Sequence, residues 1–173
     1  MRTRISLGLV AFGAAALVAG TSVPASAAAG DTVTTFSLAG GSLSVSVQPT
    51  AALANGNSGS TSISGQLGAV QVTDNRGGTT PWSAAATSTK FTTGTGNPES
   101  TGVTYNAGTI TTTGIVVMPL ATNRSLNATP TQVVGPTVIT GNNTASWNPT
   151  LTVTLPASAL TGDYTGTVNT SVS

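Results

Sequence analysis

Four carboxylates, Asp31, Asp74, Glu99 and Asp163, and five bases, Arg2, Arg4, Arg76, Lys90 and Arg124, carry all the side-chain charge of a 173-residue chain that has no histidine and no cysteine. A pair of carboxylates at the right separation is all that glycoside hydrolysis requires. It is the enzymatic hypothesis the four acids invite, but they sit in turn-like or terminal settings with no apolar run around them to raise one pKa. No enzyme is expected. Lacking imidazole and thiolate, the chain has no Ser-His-Asp or Cys-His system, no zinc or haem ligands of the usual kinds and no disulfide framework, so no cofactor is expected either. Asp74 stands without a second acid beside it, too little for a cation site. Five bases at a formal charge of +1 cannot neutralise a phosphate backbone, and nucleic acid is excluded as a partner.

Binding chemistry is left, and a few residues are equipped for it. Asp74-Asn75-Arg76-Gly77-Gly78 reads as a hairpin turn, with Asx side chains bonding to local backbone and glycine accepting positive φ. Asp74 and Arg76 can pair with each other, or with Asn75 hold a polar sugar group. Trp82 and Trp147 are the largest side chains in a composition of Val, Leu, Ala and Thr, and burial as core anchors is their default reading. The alternative is a sugar-stacking platform, with the stronger case at Trp147, which has Asn142, Asn143 and Asn148 for neighbours. Candidate ligand-binding residues are therefore Asp74, Asn75, Arg76, Trp82 and Trp147. Tyr164 is expected to bond its hydroxyl to nearby backbone, as a corner tyrosine does. Lys90, beside Phe91, reads as a solvated strand-end lysine rather than one cross-linked to an asparagine.

The elements that must hold these residues are strands. Residues 30 to 173 contain 32 Thr, 16 Ser and 18 Gly among 144, and the strong helix formers are nearly absent, so helix is disfavoured throughout. Leu, Ile, Val and Phe number only 29 of these 144, but they fall at spacing two, which separates the chain from a disordered one. Leu43, Val45 and Val47 alternate with Ser; Leu151, Val153 and Leu155 alternate with Thr; Tyr164, Val168 and Val172 share a face. Further strands are predicted over 32–38, 66–73, 82–92, 103–105, 108–119 and 131–140, with 75–80 and 141–143 as the clearest tight connections. Eight or nine short strands punctuated by Gly, Asn and Pro predict an all-β fold, an antiparallel immunoglobulin-like sandwich.

Arg2 and Arg4, the apolar run from Ile5 to Ala19 and the small residues Ala25-Ser26-Ala27 have the order of a secretory signal peptide, with cleavage expected after Ala27 or, in a second frame, after Ala29. The run is short and glycine-interrupted for a bilayer of roughly 30 Å, so no membrane span is expected after cleavage. The exported product, 28–173, is a single domain. It keeps three bases against four acids, a net charge of −1. No sorting signal is seen at Ser173, so any attachment to a cell is expected to be non-covalent.

Two stretches carry a family resemblance. Leu67-Gly68-Ala69-Val70-Gln71-Val72-Thr73-Asp74-Asn75-Arg76-Gly77, followed by Trp82 and Phe91, resembles the V-x-V-x-D-x-R-G…W segment of the WxL family of Gram-positive surface proteins. Leu151 to Leu155, Pro156-Ala157, Gly162 to Val168 and Ser171-Val172-Ser173 are similar to the end of that family's domain. The resemblance is to a divergent member: Trp82-Ser83-Ala84 stands where the family has Trp-x-Leu, and Asn169-Thr170-Ser171-Val172 where a second copy is expected. It implies an exported, non-enzymatic module that adheres non-covalently to the cell wall, with peptidoglycan or an associated glycan as ligand and other surface proteins as partners. The alternative is a structural subunit of an extracellular assembly, pilin-like or coat-like, acting through strand edges.

Overall fold

Alternation of small polar and aliphatic residues is satisfied by strands that bury every second side chain. In the computed structural model, which describes residues 34–173 apart from Thr95, Leu120 and Ala121, eleven such strands form and no helix does. They are β1 (Leu43–Ser46), β2 (Ser62–Gln66), β3 (Val70–Asp74), β4 (Ala84–Ser88), β5 (Gly102–Asn106), β6 (Ile110–Val117), β7 (Arg124–Leu126), β8 (Thr131–Val134), β9 (Val138–Trp147), β10 (Thr150–Thr154) and β11 (Val168–Val172). All pairings are antiparallel, in three sheets of order β1-β3-β9-β6, β2-β10-β5-β7 and β11-β4-β8, none closed into a barrel. Residues Ser37–Ser173 form one compact unit. The signal peptide expected over 1–27 lies outside the described residues, as does Asp31.

One core collects side chains from all three sheets. Val70 and Val72 of β3 and Ala145 and Trp147 of β9 meet Val103 and Tyr105 of β5, Leu151 and Val153 of β10, and Ala84 and Ala86 of β4. The Trp147 indole N–H donates to the Tyr105 hydroxyl at 2.7 Å, a bond from one sheet to another across the core. Burial holds Tyr105 neutral, with its pKa pushed up to about 12. The described residues leave no buried side-chain polar atom without a partner.

Several expected boundaries move, each for a local reason. Eight or nine strands become eleven because the 131–140 run breaks at Gly135-Pro136 into β8 and the start of β9, and because two strands, β2 and β7, were not predicted. The predicted 66–73 run shares only Gln66 with β2, and Gly68, at φ 89°, lies in the gap between β2 and β3. The short β7, with Asn127 and Pro130 after it, carries too few apolar residues to show as a pattern. Residues 34–38 form no strand, and Phe36 and Leu38 are exposed. The 141–143 segment is no connection between strands. It lies inside β9, where Gly141-Asn142-Asn143 face the single residue Gly114 of β6 and the register shifts. Residues 75–80 do connect strands, but they carry the chain from β3 to β4 in another sheet and so do not close a hairpin.

Candidate functional site

Position Asp74 is the third inward-facing residue of β3, after Val70 and Val72, and its cross-strand partners run Trp147, Ala145, Asn143. Apolar residues fill the first two layers and a polar pair fills the third. Asp74 is 1% exposed, and a carboxylate so placed must be saturated with hydrogen bonds. Its Oδ1 accepts from the Arg76 backbone N–H at 3.0 Å and from Arg76 Nε at 2.9 Å, its Oδ2 from Arg76 Nη2 at 3.0 Å and Asn143 Nδ2 at 3.5 Å. Asn143 reaches this layer by the same alternation that turns Ala145 and Trp147 inward, and its Oδ1 accepts from the Trp82 indole N–H at 3.1 Å. Arg76 also donates from Nη2 to the Thr80 carbonyl at 3.0 Å, which closes the 75–80 connection. The guanidinium holds the Asp74 carboxyl below the usual carboxylate range against the opposing effect of burial, and Asn143 adds to the lowering.

The structure thus brings Asp74, Arg76 and Trp82 together, while Asn75 points to the exterior and Trp147 lies in the adjacent core. Trp82 is 1% and Trp147 3% exposed, so neither indole offers a face for a sugar to stack on. Core anchoring, the default reading, describes both. The Asp74-Arg76 pair is directed at itself, Thr80 and Asn143. Tyr164 donates its hydroxyl to the Leu160 carbonyl at 3.0 Å, closing a corner as its position suggested. Lys90 is solvent-exposed and pairs with Glu99 at 3.0 Å. Among the described residues, no three acidic side chains come together as a metal would need.

A larger feature lies elsewhere, built by the pairing of β2 with β10. Ser62 opposes Thr154 and Ile63 opposes Val153, so the segment entering β2 and the segment leaving β10 emerge at the same end of the sheet. Residues 51–60 and 159–166 rise there as two walls around a half-open groove of about 660 Å³. Phe91, Ile63, Val153 and Leu155 line it from the strands and the segments that follow them, and the two flanking segments contribute Leu53, Leu160 and Tyr164 beside the uncharged amides and hydroxyls of Asn55, Asn57 and Thr165. Two constraints hold the wall after β10 in place. Thr92 and Thr165 exchange backbone hydrogen bonds at 3.0 Å each, and Gly166 lies so close to Phe91 that a Cβ there would stand 2.8 Å from the ring. Asp163 is the one carboxylate in the lining.

None of the groove residues figured among the candidate ligand-binding residues, although Asp163 and Tyr164 drew notice for other roles. The Asn55-Gly56-Asn57 cluster and the Gly162-to-Gly166 run were visible as turn signals, but nothing local relates two segments about a hundred residues apart. The chain matches no known family model, no curated protein and no solved structure.

Proposed function

We propose that this chain is an exported, non-enzymatic surface module that associates with the bacterial cell wall by binding neutral glycan, peptidoglycan or a polymer attached to it, in the groove above Phe91. The finer fold reading that accompanies it is an immunoglobulin-like sandwich, in the manner of the WxL-like resemblance. The groove is the observation that carries the reading: an apolar floor suits the hydrophobic faces of pyranose rings, and hydroxyl and amide walls suit their hydroxyls. A lining with one acidic side chain and no basic one is poorly matched to anionic polymers. A single carboxylate also falls short of the pair that sugar hydrolysis uses, which favours binding over cleavage.

Sedimentation with washed Gram-positive sacculi tests the proposal. The protein is expected in the pellet. Ala159→Trp, which fills the groove from its wall while leaving the circular dichroism spectrum unchanged, is expected to return it to the supernatant. Wild-type protein that stays in solution, or a folded A159W that sediments equally well, would refute the assignment.

A further inference from the structure

Asparagine carries a latent reaction with its own chain: the backbone nitrogen of the next residue can close on the side-chain carbonyl carbon and expel the amide. Closure needs that N–H unengaged, the side chain unheld and little bulk on the following residue, so an exposed Asn-Gly pair is the most reactive setting and a hydrogen-bonded asparagine a slow one. The described residues include every asparagine of the chain, and the fold restrains nearly all of them. Asn97 and Asn148 precede Pro98 and Pro149, which have no N–H. The N–H that follows Asn75 is committed to Asp74 Oδ1 at 3.0 Å. Asn106 donates to the Asn123 side chain at 2.6 Å and accepts from the Gly108 N–H at 2.8 Å, and Asn127 accepts from the Thr129 N–H at 2.7 Å. Asn142, Asn143 and Asn169 are fixed within strands β9 and β11.

Asn55 is the exception. It is exposed, lies outside any strand and is followed by Gly56, and among the described residues neither its side-chain amide nor the Gly56 N–H has a hydrogen-bond partner. The pair is suspended between two tethers. Ala54 N–H donates to the Ser64 carbonyl at 3.1 Å, while Asn57 N–H donates to Ser60 Oγ at 3.1 Å and its carbonyl accepts from the Ser60 N–H at 3.0 Å. Asn57, the nearest rival, is followed by Ser58, whose Cβ crowds the attack. We propose that Asn55-Gly56 is a self-modification site, with solvent water as its only co-reactant. The Gly56 nitrogen bonds to Asn55 Cγ, the Cγ–Nδ2 bond breaks, and ammonia leaves carrying the Gly56 amide proton, which gives a succinimide ring. Water then adds to one ring carbonyl and opens the ring to aspartate, or to the other and opens it to isoaspartate; nothing is oxidised or reduced. Either product puts a second carboxylate into the lining of the groove, where Asp163 is the only one, and adds one negative charge to the net −1 of residues 28–173. The isoaspartate route also lengthens the main chain by one carbon between the two tethers. The site follows from chain geometry and holds whatever the groove binds.

Incubation of residues 28–173 in mildly alkaline buffer, with the modified positions assigned by peptide fragmentation in a mass spectrometer, tests the assignment. Asn55 is expected to gain the mass of an amide-to-acid exchange at least tenfold faster than any other asparagine, and its peptide to separate into two isomers, one of them a substrate for protein isoaspartate methyltransferase. Because the fold leaves this pair unrestrained, its rate is expected to stay within about threefold of the rate in chain unfolded by urea. Asn55→Gln, whose longer side chain must close a larger ring, is expected to abolish the fast phase of ammonia release without changing the circular dichroism. A folded chain that slows Asn55 by more than that threefold margin would overturn the proposal. So would faster modification at Asn57 or any other asparagine, or a fast phase that survives Asn55→Gln.

Discussion

Asp74 occupies a position where alternation alone would have placed a valine, and its burial makes it the residue whose chemistry most affects stability. The Arg76 guanidinium lowers its pKa from the ordinary 3.8, so the folded state binds its proton less readily than the unfolded chain does. The stabilisation this supplies is complete above that ordinary value and disappears as pH falls through the lower, folded one. Asp74→Asn is expected to cost about 1–3 kcal/mol at neutral pH, since the amide cannot accept from Arg76 through both of its atoms. Its denaturation midpoint should converge on that of the wild type as the solution is acidified below 3.8. A difference that stays constant across this range would mean the ion pair contributes nothing. The turn chemistry of Asp74 and Arg76 was legible from their spacing. Asn143 and Trp82 as partners were not, because Asn143 comes opposite Asp74 only when β3 pairs with β9, and no signal near Asp74 in the chain announces that pairing.

Among the elements, the β6–β9 pair shows how the cost of a side chain depends on a glycine's surroundings. Gly114 and Gly141 both adopt positive φ, 82° and 70°, but their surroundings differ. A Cβ on Gly114 would stand 2.6 Å from the Asn142 carbonyl oxygen, whereas one on Gly141 would meet nothing within 4 Å. Gly141→Ala is therefore expected to cost only the conformational penalty, about 1–2 kcal/mol, and Gly114→Ala that penalty plus displacement of the bulge, about 2–4 kcal/mol. Urea denaturation of the two variants checks the order, and equal losses would show that the bulge tolerates displacement. Spacing-two alternation located β1, β5 and β10 well, because each has its apolar residues on one side of a short run, while β4 and β6 lie inside the wider runs expected over 82–92 and 108–119. It missed β2, whose one aliphatic residue is Ile63, and merged β8 with the start of β9, since an apolar series continues through the Gly135-Pro136 break. It also read 32–38 as a strand, although Phe36 and Leu38 have the right spacing but no neighbour to pair with.

On the scale of the whole molecule, the Thr-, Ser- and Gly-rich composition has a coherent consequence: a core of modest size, spanned by a few hydrogen-bonded aromatics, beneath a surface of hydroxyls and amides. All-β architecture was readable from that composition and its period. The groove was not, because it exists only once antiparallel pairing of β2 and β10 sets the ends of two remote loops side by side over Phe91. Its size and largely uncharged lining, with Asp163 the one carboxylate, are what support the proposed recognition of a glycan.

The most direct test of the proposed glycan recognition is an amide NMR titration of residues 28–173 with soluble, uncrosslinked peptidoglycan fragments. Progressive, saturable shifts are predicted for residues 51–60, 159–166 and Phe91, with the Asp74, Asn143 and Trp82 signals unmoved. Saturable shifts centred on any other surface, or a spectrum unchanged at millimolar fragment, would contradict it.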